Sequence, residues 1–349
     1  MTAAGSGPGR ELAGTALWLA FPLAVRPGPF DPGWIPALLL LAPLVLVPLG
    51  LSLLDRGEPS GPAAGPGGGG SAPARCSARP ARLLRLAGRL QLPAAGFLAA
   101  AFVIRQGSLA AALALPWLAV AGLLALTGLL RIGRRIRSRG VRPLAPFVAD
   151  AGLVYLAVGA AWAVADRLGF RPLDFPAIIV VLTAVHFHYA GFVLPVVTSL
   201  AARRLGGPVA ALAGIGVIAA VPLVAVGITA TQLGLGPWLE ALAAWVMAAA
   251  GVLVAGLHLR LAVGSGAPGT ARVLWGMAAL SLLGSMVLAA LYGARFHLPA
   301  VRGLDIAWMQ ALHGGANAFG FGLCALLGWM RAERGPVAPR VGRPSPAGG

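Results

Sequence analysis

The chain has 349 residues, 58% of them hydrophobic and 11% charged, with a net charge of +17 and a mean hydropathy of +0.84. Soluble domains carry roughly 25% charged and about 45–50% apolar residues, so 27 basic and 10 acidic side chains cannot clothe a water-facing surface of this length. Every basic residue is Arg, clustered between apolar runs, which reads as the loops of a membrane protein and excludes a nucleic-acid partner.

A helix needs about 20 mainly apolar residues to cross the hydrocarbon core. Ten runs meet or approach that length: 11–25, 33–54, 90–104, 108–130, 144–165, 175–200, 208–230, 237–259, 271–292 and 303–330. The first and third are short enough to be interfacial or tilted, so nine or ten spans are expected. The fold class is therefore all-α, a polytopic transmembrane helix bundle, multi-pass in the cell membrane. Residues 1–54 read as a first helix pair and 81–334 as the main bundle. Between them, 55–80 include GPAAGPGGGGSAPA, which has no apolar content to fold around and is expected to be a flexible cytoplasmic linker. The following ARLLRLAGRL (81–90) interleaves Arg with Leu and is expected along the inner leaflet. The tail at 335–349 reads as disordered. Pro43, Pro48, Pro116, Pro195 and Pro222 fall inside spans, where neighbouring helices can satisfy the carbonyls that a proline frees. Cys76 and Cys324 have no CxxC partner, so no disulfide framework or thiolate metal site is signalled. No internal repeat stands out.

The arginines test this map. Twenty fall in connections after even-numbered spans; six (Arg26, Arg105, Arg167, Arg171, Arg295 and Arg302) fall after odd-numbered ones, and Arg10 precedes the first. Positive loops stay cytoplasmic, so both termini are expected inside. A missed span would scramble the alternation downstream of the error.

Ionisable groups at bilayer depth cost at least ~2.5–3.5 kcal/mol each and are functional candidates by default. Two spans concentrate polar side chains. The sixth holds His186 and His188, flanked by Thr183 and Tyr189. At 100° per residue, Thr183, His186 and Tyr189 share an arc of about 120°, whereas His188 points roughly 160° away from His186. One intact helix cannot turn both imidazoles into one pocket. Only unwinding at Gly191 and Pro195 would change that. In the tenth span Asp305, Gln310, His313 and Asn317 lie within about 140°. Asn317 is the sole Asn of the chain, and Gly314, Gly315, Gly320 and Gly322 remove bulk nearby.

On this topology both spans enter from outside. His186 and His313 then lie roughly 15–17 Å down at ~1.5 Å per residue, near the midplane, with Asp174 and Asp305 at the outer mouth. A shared polar site at half depth is the main expectation. The competing expectation is that these groups merely hydrogen-bond helix to helix, each bond worth under ~1 kcal/mol on average; His188 fits either reading. Asp150, in the inner third of the fifth span, reads as a proton-relay acid or as the partner of Arg142. Glu240, His258 and His297 are expected at the interfaces. No Walker loop, HExxH, GxSxG or dinucleotide fingerprint occurs.

TAVHFHYAGF (183–192), followed by Pro195, and LDIAWMQALHGGANAFGF (304–321) resemble the YndJ-like family of bacterial integral membrane proteins. The likeness is carried by HFHYAGF and by the pattern of Asp305, Met309, His313, Gly314, Asn317, Gly320 and Phe321. It implies a membrane protein of transporter type and supplies no substrate or cofactor.

Two functions are therefore expected in competition. In a transporter or permease, His186 and His313 bind a small-molecule or lipid-like substrate or shuttle protons. Asn317 and Tyr189 orient the ligand, and Asp305 attracts cations at the mouth. In an intramembrane enzyme acting on a lipid or isoprenoid-like substrate, His186 and His313 form an acid–base pair or hold a metal, with Asp305 or Asn317 orienting them. Membrane lipids are the partners implied either way, and the cofactor is left open.

Overall fold

A computed structural model describes residues 8–56, 72–140 and 143–334 of the chain. Among them there is no strand, and ten helices account for the fold. They are α1 (Pro8–Val25), α2 (Trp34–Arg56), α3 (Ala72–Val103), α4 (Ser108–Arg139), α5 (Ala145–Leu168), α6 (Ala177–Leu205), α7 (Gly207–Gln232), α8 (Trp238–Val263), α9 (Gly269–Ala294) and α10 (Ile306–Arg334). Helices dominate because lipid offers no hydrogen bonds, so a spanning backbone must satisfy itself. Nine of them, α2 to α10, are long and apolar enough to cross a membrane, among the described residues. The 18-residue α1, with Arg10 and Glu11 near its start, is not one of the nine.

Two expectations change. Residues 81–90 do not form a separate surface helix; they run uninterrupted into the third span as part of α3. Of the linker expected at 55–80, residues 57–71 lie outside the described residues, and the backbone from Ala72 onward is already helical. The tail at 335–349 also lies outside the described residues.

Consecutive helices from α3 to α10 pack as antiparallel neighbours, and α2 forms the axis, touching α1, α3, α6 and α10. Its most apolar window is 94% buried, which marks it as a core element rather than a lipid-facing one. Trp18 of α1 donates its indole N–H to Ala37 O at 2.8 Å, and Arg10 donates to Gly88 O of α3 at 2.8 Å.

Three helices widen into π-helical turns: α2 at Ala42–Leu46, α6 at Tyr189–Val193, and α10 at Met309–Gly314 and Ala316–Leu323. In α2 and α6 a proline stands two residues past the wide turn, Pro48 and Pro195. A proline cannot donate an N–H, so the carbonyl it would have bonded needs another donor. In α2, Val47 N–H bonds to Ala42 O; the next donor in that register would be residue 48, and its absence leaves Pro43 O unserved. Gln91 of α3 supplies the missing donor from its side-chain amide. Similarly, Pro222 of α7 has no N–H for Ile218 O, and the Tyr155 hydroxyl of α5 donates there at 2.7 Å.

The three widened helices meet. Gly322 of α10 sits where an added Cβ would lie 3.4 Å from Leu46 of α2 and 3.5 Å from Val193 of α6. Gly50 of α2 packs on the Phe192 ring, and Gly314 of α10 packs on Leu38. Without a hydrophobic force between helices in lipid, close backbone approach at small residues is what holds such a crossing.

Charges sit towards the helix ends and are paired. Asp150, 2% exposed, is bridged by Arg131 at 3.7 Å and Arg135 at 3.2 Å, both from α4. Arg142, expected beside Asp150, lies outside the described residues. Asp166 pairs with Arg167 at 2.6 Å and Glu240 with Arg295 at 2.7 Å.

Candidate functional site

The site begins with the ladder of α6. The wide turn starts after His188, so His186 and His188 keep α-helical geometry and point apart. His188 turns towards α4. Its Nδ1 lies 2.7 Å from Ala184 O, one turn back, and its Nε2 accepts the Trp117 indole N–H at 3.0 Å. Both ring nitrogens are thus used in a fully buried side chain. Gly159 of α5 makes the room: an added Cβ would stand 2.8 Å from His188 Nδ1. His258 is held the same way, by Val254 O at 3.0 Å and the Trp329 indole N–H at 3.5 Å. It is wholly buried, and Trp329 of α10 closes over it.

Tyr189 also leaves the site. Its hydroxyl donates to Leu38 O of α2 at 2.7 Å, and the side chain is 8% exposed. Thr183 is half-buried and donates back to Ile179 O of its own helix at 2.7 Å.

His186, half-buried, places Nε2 3.3 Å from Val221 O of α7. A carbonyl only accepts, so Nε2 carries the proton and Nδ1 is left as an acceptor with no partner among the described residues. On α10, Asn317 donates to His313 O at 2.9 Å and to the hydroxyl of Ser285 on α9. His313 Nδ1 lies 2.9 Å from Ser285 Oγ and 3.0 Å from Ser285 O. This double contact has a consequence for the proton. With Nδ1 protonated, the ring donates to the Ser285 carbonyl; with Nδ1 bare, it accepts from the Ser285 hydroxyl. Either tautomer is satisfied, so Nε2, which has no partner among the described residues, can present a lone pair or a proton.

Thus α6 carries one accepting nitrogen and α10 one switchable nitrogen, and the two helices touch at their widened turns. The groups that convergence leaves without a partner are neutral. No three His, Cys, Asp or Glu side chains converge as metal ligands among the described residues. A metal on His186 and His313 would need a third protein ligand that these residues do not supply.

Ser285 is the residue that sequence reasoning passed over. Its available signal is the pair Ser281 and Ser285, one turn apart in an otherwise apolar helix and so on one face. That face meets α10, where Gly320 makes way for Ser281.

Asp305 stands apart from the imidazoles. It is exposed and caps α10, its Oδ1 accepting Trp308 N–H at 3.1 Å. It lines a cleft of about 470 Å³ with Tyr292, Arg295, Phe296, Arg302, Leu304 and Ile306. Two arginines share that mouth with the carboxylate, and one of them, Arg295, is paired with Glu240. Gln310 is buried and ties the loop before α2 to α10, donating to Asp31 O at 2.9 Å. Asp174 is exposed, and Gln232 of α7 donates to its carbonyl at 3.2 Å.

The profile of the YndJ-like protein family matches residues 37–321, which takes in α2 to α9 and the polar half of α10. A curated relative, "Uncharacterized membrane protein YndJ" of Bacillus subtilis (strain 168), is 32% identical over 187 residues, or 53% of this chain and 33% of the relative. The match thus spans about a third of the relative's length. No solved structure matches.

Proposed function

The chain belongs to the YndJ-like family of membrane proteins, and from that premise we propose that it is a permease that passes a small polar solute through a neutral site at half depth. His186 and His313 bind the solute or relay a proton, Asn317 and Ser285 hold His313, and Thr183 lies one turn before His186 on α6. The single observation that carries this reading is the pair of imidazole nitrogens left without partners where α6 and α10 converge, His186 Nδ1 and His313 Nε2. Wide turns in three converging helices support it further, because interrupted helices lining midmembrane sites are a recurring feature of transporters. A ligand here meets hydrogen-bonding groups and no fixed charge, which favours a neutral solute, or a proton, over a bare ion.

An intramembrane enzyme is the second reading, and one contact favours it: Ser285 Oγ lies 2.9 Å from His313 Nδ1, the spacing of a nucleophile and its base. Against it, Ser285 is 1% exposed and its oxygen already accepts from Asn317. A substrate carbonyl has no path to it.

The test uses the full chain with Cys76→Ser and Cys324→Ser, carrying Thr183→Cys or Asn317→Cys in oriented proteoliposomes. A membrane-impermeant methanethiosulfonate is expected to modify both cysteines from one face, and a change of pH gradient is expected to shift labelling to the other. Protection of both positions from both faces, with a loop cysteine labelled as control, overturns the permease reading. Labelling of Ser285 by a fluorophosphonate replaces it with the hydrolytic one.

A further inference from the structure

The cleft at the junction of α9 and α10 carries an inference independent of the permease reading. It lies where α9 ends at Ala294 and α10 begins at Ile306, the level at which the chain leaves hydrocarbon for the head-group region. Its apolar wall is Tyr292, Phe296, Leu304 and Ile306. Phe296 and Leu298 stand 44% and 50% exposed beside it.

The charges of this cleft are of two kinds. Arg295 is spent: Glu240 holds it at 2.7 Å, and it lies over the Tyr292 and Phe296 rings at 3.7 and 4.1 Å. Arg302 has no partner among the described residues. Asp305 uses one oxygen to cap α10 and makes no ion pair among those residues. Three positions apart in sequence and lining one cleft, a cation and an anion remain that do not neutralise each other.

We propose that this cleft binds a zwitterionic phospho-amine head group, its phosphate on Arg302 and its ammonium on Asp305, with the acyl chains leaving past Phe296. A lone phosphate would meet the Asp305 carboxylate, and a lone amine would meet the Arg302 guanidinium. Only a ligand carrying both charges, reversed, complements the cleft. Guanidinium matches phosphate oxygens with paired donors, and the tyrosine and phenylalanine faces add to the attraction for an ammonium. The apolar wall and the interfacial level select a bilayer phosphatidylethanolamine as the source over a soluble zwitterion.

The experiment takes the full chain in nanodiscs of phosphatidic acid, which has no ammonium, and measures, by native mass spectrometry, retention of added phosphatidylethanolamine or phosphatidylglycerol. Selective retention of phosphatidylethanolamine is expected, with Arg302→Gln and Asp305→Asn each weakening it about tenfold. Asparagine caps a helix about as well as aspartate, so the second loss would not be one of folding; Arg302→Lys should restore part of the first. Equal retention of the two added lipids, or no change in either variant, overturns the proposal. Displacement by water-soluble glycerophosphoethanolamine at matched concentration overturns the lipid as source.

Discussion

The Tyr189 hydroxyl donates a 2.7 Å hydrogen bond to Leu38 O, joining α6 to α2 beside the wide turn of each helix. The bond exists because Pro43 has no N–H and Ala42 N–H is directed to Leu39 O, so the carbonyls of that turn lack donors. What looked in sequence like a ligand-orienting phenol is the clasp of the helix crossing.

Tyr189→Phe removes the donor and keeps the ring. The stranded carbonyl has no water to turn to, so a loss of about 1 kcal/mol is expected, somewhat above the ~0.6 average for interhelical bonds in lipid. Thermal denaturation in detergent should show a fall of a few degrees. Thr183→Val, which removes only a bond within α6, should fall less; equal falls would deny the clasp its role.

Gln91 and Pro48 should behave as a coupled pair. Gln91→Leu leaves Pro43 O without its side-chain donor and is expected to destabilise by about 1 kcal/mol. Pro48→Ala returns the backbone N–H that this carbonyl lacks, so the double variant should be more stable than the sum of the single losses. Additive melting shifts across the four proteins would show that the amide does not stand in for the absent N–H.

Asp150 lies between two arginines of α4 and is 2% exposed. Asp150→Asn removes the negative charge from a buried cluster and leaves like charges facing each other, a change expected to cost about 3–5 kcal/mol. Folded protein recovered after extraction, followed by size-exclusion chromatography, should drop sharply. Arg135→Gln, whose side chain is 25% exposed, should be recovered far better. Normal recovery of Asp150→Asn would return this carboxylate to the list of relay acids.

The spans were legible because twenty-residue apolar runs and the arginine alternation are direct consequences of lipid as solvent. The opposition of His186 and His188 was legible from helical period alone, and the π-turn leaves it intact by starting one residue later. The partners of polar groups were not. Tyr189 and His188 share a stretch with His186, yet each is consumed by a carbonyl or indole of another helix, whose position depends on which helices touch; Thr183 is consumed within its own helix. Ser285 escaped notice for the converse reason: a lone serine in an apolar span is chemically silent until α10 is laid against α9. That Pro48 and Pro195 follow widened turns is held in the register of backbone hydrogen bonds and invisible to hydropathy.

Ser285 therefore offers the sharpest probe of His313. With its hydroxyl present, both imidazole tautomers have a partner; Ser285→Ala leaves only the Nδ1–H form, donating to the Ser285 carbonyl. The remaining lone pair on Nε2 can accept but no longer offers a proton in the neutral ring. Ser285→Ala should therefore slow proton entry more than tenfold in proteoliposomes loaded with a pH-sensitive dye and given an inward proton gradient. Ser285→Thr keeps the hydroxyl and should retain most of the rate, provided its added methyl is absorbed beside α10. His188→Gln supplies the contrast, since both its ring nitrogens are spent on Ala184 and Trp117: stability should fall while the proton rate per folded molecule holds. Equal proton entry in wild type, Ser285→Ala and protein-free vesicles would show that His313 carries no proton and that its contacts serve packing alone.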